Sequence, residues 1–317
     1  MAVIGLDLGG TKLAGAIFSR EGRILHRAVV PVRGCKGREV GELACGQVTA
    51  ILKYTRTRRI DVRAIGICVP GIVHAKTGRV WAPNIAGWED YPLRDEINSS
   101  LDRRGIPVLV NNDRAACILG EVWQGAARGC RNAVFLAVGT GIGAGILVDG
   151  QVLRGASDIA GSIGWLALDR PFRREYVGCG CFEHHASGEG LAKVAKEILA
   201  RPMKYSGRLR RKHTLTASDV FHAYNQGDAV AKQVLANGIE FWGMAVANLV
   251  SLLNPEKIIF GGGVFGPARR FLSDIRIEAE KWAQPISIGQ VELVGSKLGG
   301  DAGLYGAGFL ALRGVRT

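Results

Sequence analysis

The first twenty residues hold the feature that most limits what this chain can fold into. An apolar run reaches Asp7, Gly9 and Gly10 follow, then Thr11 and Lys12, and β-type residues resume from Leu13 to Phe18. Adjacent glycines let the backbone turn where a side chain would clash. A second turn at Glu21 and Gly22 precedes Arg23, Ile24 and Leu25, so the pattern predicts strand, tight turn, strand, turn, strand. Such a turn offers backbone N–H groups, a hydroxyl and an ammonium to an anion, with a carboxylate close by. Those groups suit a nucleotide phosphate and its magnesium, and Asp7 is the candidate to hold that Mg2+.

The design occurs twice. Residues 134–138 are apolar, Gly139-Thr-Gly-Ile-Gly-Ala-Gly145 reads as the turn, and residues 146–148 resume the strand before a turn at Asp149 and Gly150. With Thr11 set over Thr140, Gly22 and Gly150 fall within one residue of register. Two phosphate hairpins of this kind predict two related lobes facing a shared cleft.

Between and after the hairpins, apolar strand patterns at 64–69, 107–110 and 257–260 alternate with helical patterns. The helices are expected at 41–54, 92–103, 114–126, 188–201, 217–225, 228–253 and 267–282, with a closing helix that opens at 299–303 and runs to about 312. Residues 154–181 read as irregular. The alternation predicts an α/β protein with mixed sheets covered by helices. Asp113 stands where a strand meets a helix, next to Asn112, and is expected at the helix N-cap. It is also the candidate catalytic base, able to take a hydroxyl proton as a γ-phosphate is attacked.

Rival motifs are weaker. Residues 139–144 and 261–266 both fit a loose dinucleotide fingerprint. The first runs into β-type residues instead of a helix, and the second lacks a regular βαβ unit with a well-placed acid. No Walker A loop is present.

The net charge of +13, from 41 Lys and Arg against 28 Asp and Glu, raises the question of a nucleic-acid partner. The charge is concentrated in runs such as 53–59 and 208–213, with no helix-turn-helix ahead of Ile4 and no interleaved aromatics. The expectation is a basic solvated surface with some attraction for ATP, and no nucleic-acid partner. The same charge leaves polyphosphate open as a donor. An odd count of seven cysteines, with an acid already at Asp7, argues for reduced thiols, no secretory signal and a cytoplasmic home. The longest apolar stretch, 241–253, is too short for a bilayer, so no membrane association is expected.

Together the motifs resemble the ROK family of sugar kinases and repressors. They are Asp7-Leu-Gly-Gly-Thr-Lys12, Val69-Pro-Gly71, Asn112-Asp113, the 139–145 turn, Glu183-x-x-Ala-Ser187, the run 253–263 and Gly303-Leu-Tyr-Gly-Ala307, in the family's order and over nearly the whole chain. The resemblance implies a two-lobed actin-like fold of the ribonuclease H-like, hexokinase type. A lobe over 1–118 would be joined by the last helix, 301–317, and a second lobe would cover 119–300. It further implies a cytoplasmic, often dimeric kinase that uses ATP and Mg2+ on a sugar or cyclitol. Asp113 would be the base, and Asn84, Asn112 and Glu183 would hold sugar hydroxyls. Asp7, Gly9, Gly10, Thr11, Lys12, Gly139, Thr140 and Gly141 would face the phosphates, with Gly262 and Gly263 on the adenosine side. Family repressors carry an N-terminal DNA-binding domain, and this chain opens on the phosphate hairpin, which favours the kinase. A sugar- and nucleotide-binding regulator without efficient catalysis is the alternative.

Two departures lie on the acceptor side. Where the family commonly has Glu-x-Gly-His, this chain has Ser162-Ile-Gly-Trp165. Ser162 and Trp165 thus become substrate-side candidates, and Trp165 could stack on a ring or fill space. The family's four-cysteine zinc box retains only Cys181, with Arg174 and Tyr176 at the first two positions. A tetrahedral structural zinc needs all four ligands, so the usual site is expected to be missing. The expectation is that packing around Trp165, Phe172 and Tyr176 orders the loop; a substitute metal site made of Cys179, Cys181, His184 and His185 is the alternative.

Overall fold

The computed structural model describes residues 1–32, 34–101, 105–202, 204–212 and 214–315. Asp102 and Arg103 in the predicted helix 92–103, His213 in the basic run, and Arg316 and Thr317 of the closing segment lie outside the described residues. The chain forms two compact units. The first comprises Met1–Gly129, Val152–Ala160 and Lys297–Thr317, and the second Cys130–Gln151 and Gly161–Ser296.

The first unit is built on strands β1 (Ala2–Leu8), β2 (Lys12–Ser19), β3 (Ile24–Pro31), β4 (Val62–Val69) and β7 (Val108–Asn112), with a small ribbon of β5 (Ile72–Val73) and β6 (Val80–Trp81). The five-stranded sheet has the order β3-β2-β1-β4-β7. β1 runs antiparallel to β2 and parallel to β4, and β4 is parallel to β7. β1 and β4 are buried almost throughout, as expected of strands covered on both faces. Alternation sorts their side chains. Ile4, Leu6, Ile65 and Ile67 join the core that includes Val48 and Ile51 of α1 (Arg38–Thr57) and Ile97 of α2 (Leu93–Ser100). Val3, Ala14, Ala16, Phe18 and Ala64 meet Leu304 and Ala311 on the other face. α3 (Asp113–Gln124) packs beside that second face.

The second sheet repeats the plan with β8 (Ala133–Val138), β9 (Ile142–Val148), β10 (Gln151–Val152), β11 (Lys257–Gly261) and β12 (Glu292–Gly295), in the order β10-β9-β8-β11-β12. β8 is antiparallel to β9 and parallel to β11, which is parallel to β12. Each strand thus has a counterpart in the first sheet, and the two-hairpin duplication in the sequence is a duplication of whole sheets. The helices are α4 (Cys181–Ala186), α5 (Gly188–Ala200), α6 (Ala217–Asn225), α7 (Ala229–Leu253), α8 (Leu272–Glu280) and α9 (Pro285–Gln290), and α10 (Ala302–Gly314) returns to the first unit. By length and hydropathy the 25-residue α7 could cross a bilayer, which revises the reading based on 241–253 alone. Here its buried residues, among them Val234, Trp242, Val246 and Val250, pack into the core of the second unit.

α10 lies on the first sheet at unusually close range. Gly5 and Gly66 are cross-strand partners on β1 and β4. A Cβ on Gly66 would overlap the Ala307 carbonyl oxygen, and one on Gly5 would sit 2.7 Å from Gly308 N. On the helix side, a Cβ on Gly306 would overlap the Ala116 carbonyl of α3, and one on Gly120 would overlap the Ala302 carbonyl. Arg27 of β3 then ties down the start of α10, donating from Nη1 and Nη2 to the two carboxylate oxygens of Asp301 at 2.9 and 2.7 Å.

Several local expectations are corrected. The second glycine turn spans only 139–141, because Ile142 already pairs with Val138 and residues 143–145 belong to β9. The N-cap of α3 is Asn112, whose Oδ1 accepts from Ala115 N at 2.8 Å, and Asp113 is the first helical residue. The cause is β7, whose pairing with β4 continues through Asn112 opposite Val69. The stretch 267–282 is split into a 3-10 segment, Pro267–Phe271, and α8.

Candidate active site

In the first unit, three carboxyl ends of neighbouring parallel strands bring the candidate residues together. Asp7 near the end of β1 pairs in register with Cys68 of β4, and Val69 pairs with Asn112 of β7. In open α/β sheets this end is where ligands bind. The hairpin closes with Gly9 N donating to Lys12 O at 3.0 Å, and Val32 N donates to Thr11 O at 3.0 Å, which leaves Gly10, Thr11 and Lys12 exposed at the tip. A Cβ on Gly303 of α10 would come 2.9 Å from Asp7 Oδ2, so a glycine there makes room for the carboxylate.

The electrostatics set these carboxyls apart. Burial pushes the Asp7 carboxyl up from 3.8 to about 6, a hydrogen bond from the Cys68 thiol pulls it down, and the charges of Asp113 and Asp301 add to the rise. Burial also raises Asp113, against the pull of Arg114 and of the amide hydrogen bonds to its carboxylate. Its Oδ1 accepts from Arg114 N at 2.8 Å, yet 50% of its side-chain surface stays exposed. Asp113 is therefore a half-exposed carboxyl raised by burial. Asn112 is buried and spends its Oδ1 on the helix cap. Asn84 is exposed on a tight loop closed by Ala82 N donating to Trp88 O at 2.7 Å, with Trp88 fully buried and stacked on Tyr91.

The second unit holds a cleft of about 940 Å3. Gly139 and Thr140 of the second hairpin form one wall, Gly188, Glu189, Lys193 and Lys196 of α5 another, Ser218, Phe221, His222 and Asn225 of α6 a third, and Gly263 with Val264 and Pro267 the end. The N-terminus of α5 is anchored to the hairpin, with Gly188 N donating to Gly139 O at 2.8 Å and Glu189 N to Thr140 O at 3.4 Å. Gly262, at φ +86, lets the end of β11 approach the Val138 carbonyl, where a side chain would overlap it. Gly141 abuts Glu183, whose Oε2 accepts from Ile142 N at 2.6 Å. Burial raises the Glu183 carboxyl, opposed by that hydrogen bond. Gly139, Thr140 and Gly263 thus share one cleft, while Gly141 and Glu183 meet beside it.

Sequence reasoning missed the walls from α5 and α6. The available signal was spacing. Glu189, Lys193 and Lys196 recur at four and three residues, as do Ser218, Phe221, His222 and Asn225. Ser162 precedes a short 3-10 turn, Ile163–Trp165. Trp165 is 58% exposed and Phe172 74%, so the expected packing of three aromatics reduces to Tyr176, which alone of them is buried.

The ROK family model matches residues 3–313. A glucokinase of Halalkalibacterium halodurans is 34% identical over 316 residues, covering 97% of this chain and 94% of its own. Among solved structures, the ROK hexokinase from Thermus thermophilus is 31% identical with a TM-score of 0.79, covering 98% of each chain. A ROK family glucokinase from Streptomyces griseus, in complex with glucose and AMPPNP, is 30% identical with a TM-score of 0.76, covering 99% of this chain and 100% of its own.

Proposed function

The chain belongs to the ROK family and is a sugar kinase of the actin-like ATPase fold, and from that premise we propose that it moves the γ-phosphate of ATP to a hydroxyl of a hexose or sugar-like acceptor. The observation that carries the finer reading is the pair Asp7 and Asp113, two carboxyls at the carboxyl ends of β1 and β7, the strands on either side of β4, both raised by burial. Asp113 takes the proton of the acceptor hydroxyl as that oxygen attacks phosphorus. Asn84, Asn112 and Glu183 hold other hydroxyls, with Ser162 and the exposed ring of Trp165 shaping the acceptor side. The hairpins at Gly9 to Lys12 and Gly139 to Gly141 face the phosphates, and Gly262 and Gly263 the nucleoside.

The donor set fits magnesium. Asp7 is a hard oxygen ligand crowded by the like charges of Asp113 and Asp301, and Mg2+ is commonly held by one or two carboxylates plus substrate phosphates. Bound there, the ion would neutralise phosphate charge. The reading is tested by ADP release with Mg-ATP over hexoses, amino sugars and cyclitols. A rate that appears with one acceptor class supports it. ADP release that no acceptor stimulates overturns it.

A pH dependence follows. Below about 6 the free Asp7 carboxyl carries a proton that an arriving cation must displace. The affinity for Mg-ATP should therefore fall by about tenfold per pH unit below that point and level off above it. Calorimetric titration at acid and neutral pH checks this, and Asp7→Asn should bind more weakly with the slope abolished.

A further inference from the structure

The residues that replace the family's zinc box do not fit a metal. His184 Nε2 lies 3.1 Å from Glu197 Oε1, His185 Nε2 lies 2.8 Å from the Tyr176 hydroxyl, and Cys179 Sγ faces the carbonyls of Glu175 and Gly180 at 3.9 and 3.8 Å. Among the described residues no three His, Cys, Asp or Glu side chains are grouped to hold an ion. The substitute site offered by Cys179, Cys181, His184 and His185 is not formed.

What they form instead is a clamp with two arms. In the first, the Tyr176 hydroxyl lies 3.1 Å from Asp169 Oδ2 as well as 2.8 Å from His185. An ionised carboxylate only accepts, so Tyr176 donates to Asp169 and the proton between Tyr176 and His185 is assigned to Nε2. Burial, with His184 adding to it, holds the His185 imidazole down at about 4, so the ring is neutral and has that one N–H to give. The ring lies flat on Phe241 of α7, with centroids 4.2 Å apart. In the second arm, Glu197 of α5 accepts from Arg173 Nη2 at 3.0 Å and meets His184 through the same oxygen. The Arg173 guanidinium rests over the Tyr176 ring at 5.6 Å, which links the arms. Both arms grip α4 through consecutive histidines, and the residue just before them is Glu183.

We propose that this clamp orders the 169–185 segment without a metal, and that Asp169, Arg173, Tyr176 and Glu197 are positioning residues that fix Glu183 for acceptor binding. The role of Glu183 rests on the kinase reading, whereas the clamp itself does not.

The test uses the full chain. Protein from zinc-supplemented culture should contain less than about a tenth of an equivalent of zinc. In Tyr176→Phe, amide exchange over 181–186 in the free protein should quicken by about fivefold or more, and the acceptor KM should rise by a similar factor, with kcat and the ATP KM nearly unchanged. Glu197→Gln, which keeps the shape and removes the charge, should move the same two quantities in the same direction. Stoichiometric zinc, or unchanged exchange in both variants, overturns the clamp. Faster exchange in a protein that phosphorylates no acceptor upholds the clamp and counts against the kinase reading.

Discussion

Asp113→Asn is expected to lower kcat by about a thousandfold, within the range supplied by a positioned general base. The substitution is nearly isosteric. An Asn oxygen can still accept from Arg114 N, and the cap of α3 belongs to Asn112, so the helix start should survive. Nucleotide and acceptor affinities should change little, which separates a lost base from a lost binding group. Stability should hold or rise. Burial raises the Asp113 carboxyl, so the folded state disfavours its ionised form and the neutral amide removes that penalty above the folded pKa. Steady-state ADP release, paired with calorimetry and thermal unfolding, reads all three. A variant that keeps more than about a tenth of the rate would place the base elsewhere.

The second large effect concerns the seam under α10. Gly306→Val is expected to destabilise the fold by about 3 kcal/mol, at the upper end for overpacking. A Cβ there would overlap the Ala116 carbonyl, and backbone has no rotamer with which to move aside. Gly46 provides the opposite case. It lies on the exposed face of α1, and a Cβ added to it would meet nothing within 4 Å, so Gly46→Ala should stabilise by about 0.5–1 kcal/mol through helix propensity alone. Denaturant unfolding of both variants against the native protein checks the two signs. Equal effects would mean that close packing does not govern these positions.

The parts legible in the sequence were those whose signal is local and long. β1, β4, β8 and β11 are built on apolar runs, broken only by Asp7, Arg63 and Lys257 near their ends, and α6 and α7 are bounded by Thr216 and Asp228, whose side chains accept from Asp219 N and Ala231 N. The parts missed depend on distant partners. β12 is four residues, Glu292–Gly295, with no period of its own, and is a strand because it pairs in parallel with β11. α4 has six residues, under two turns, and is held by the clamp and by packing on α7. At the site, residue types at strand ends marked Asp7 and Asp113, but the cleft walls of α5 and α6 come together only in the fold. Asn112 and Asp113 are equally able to cap a helix, and pairing along β7 decides between them.

The position of α10 bears on how the protein is made. A chain emerging from the ribosome delivers the first sheet early, then the whole second unit, and only afterwards the helix that covers Val3, Ala14, Phe18 and Ala64. During synthesis one face of the first sheet lacks the cover of α10, with α3 beside it, while the second unit, which is continuous but for a short excursion, can already condense. The amino-terminal unit is therefore expected to complete its packing after the second unit, when α10 seats on its bed of glycines, an order that pulsed amide exchange during refolding would read.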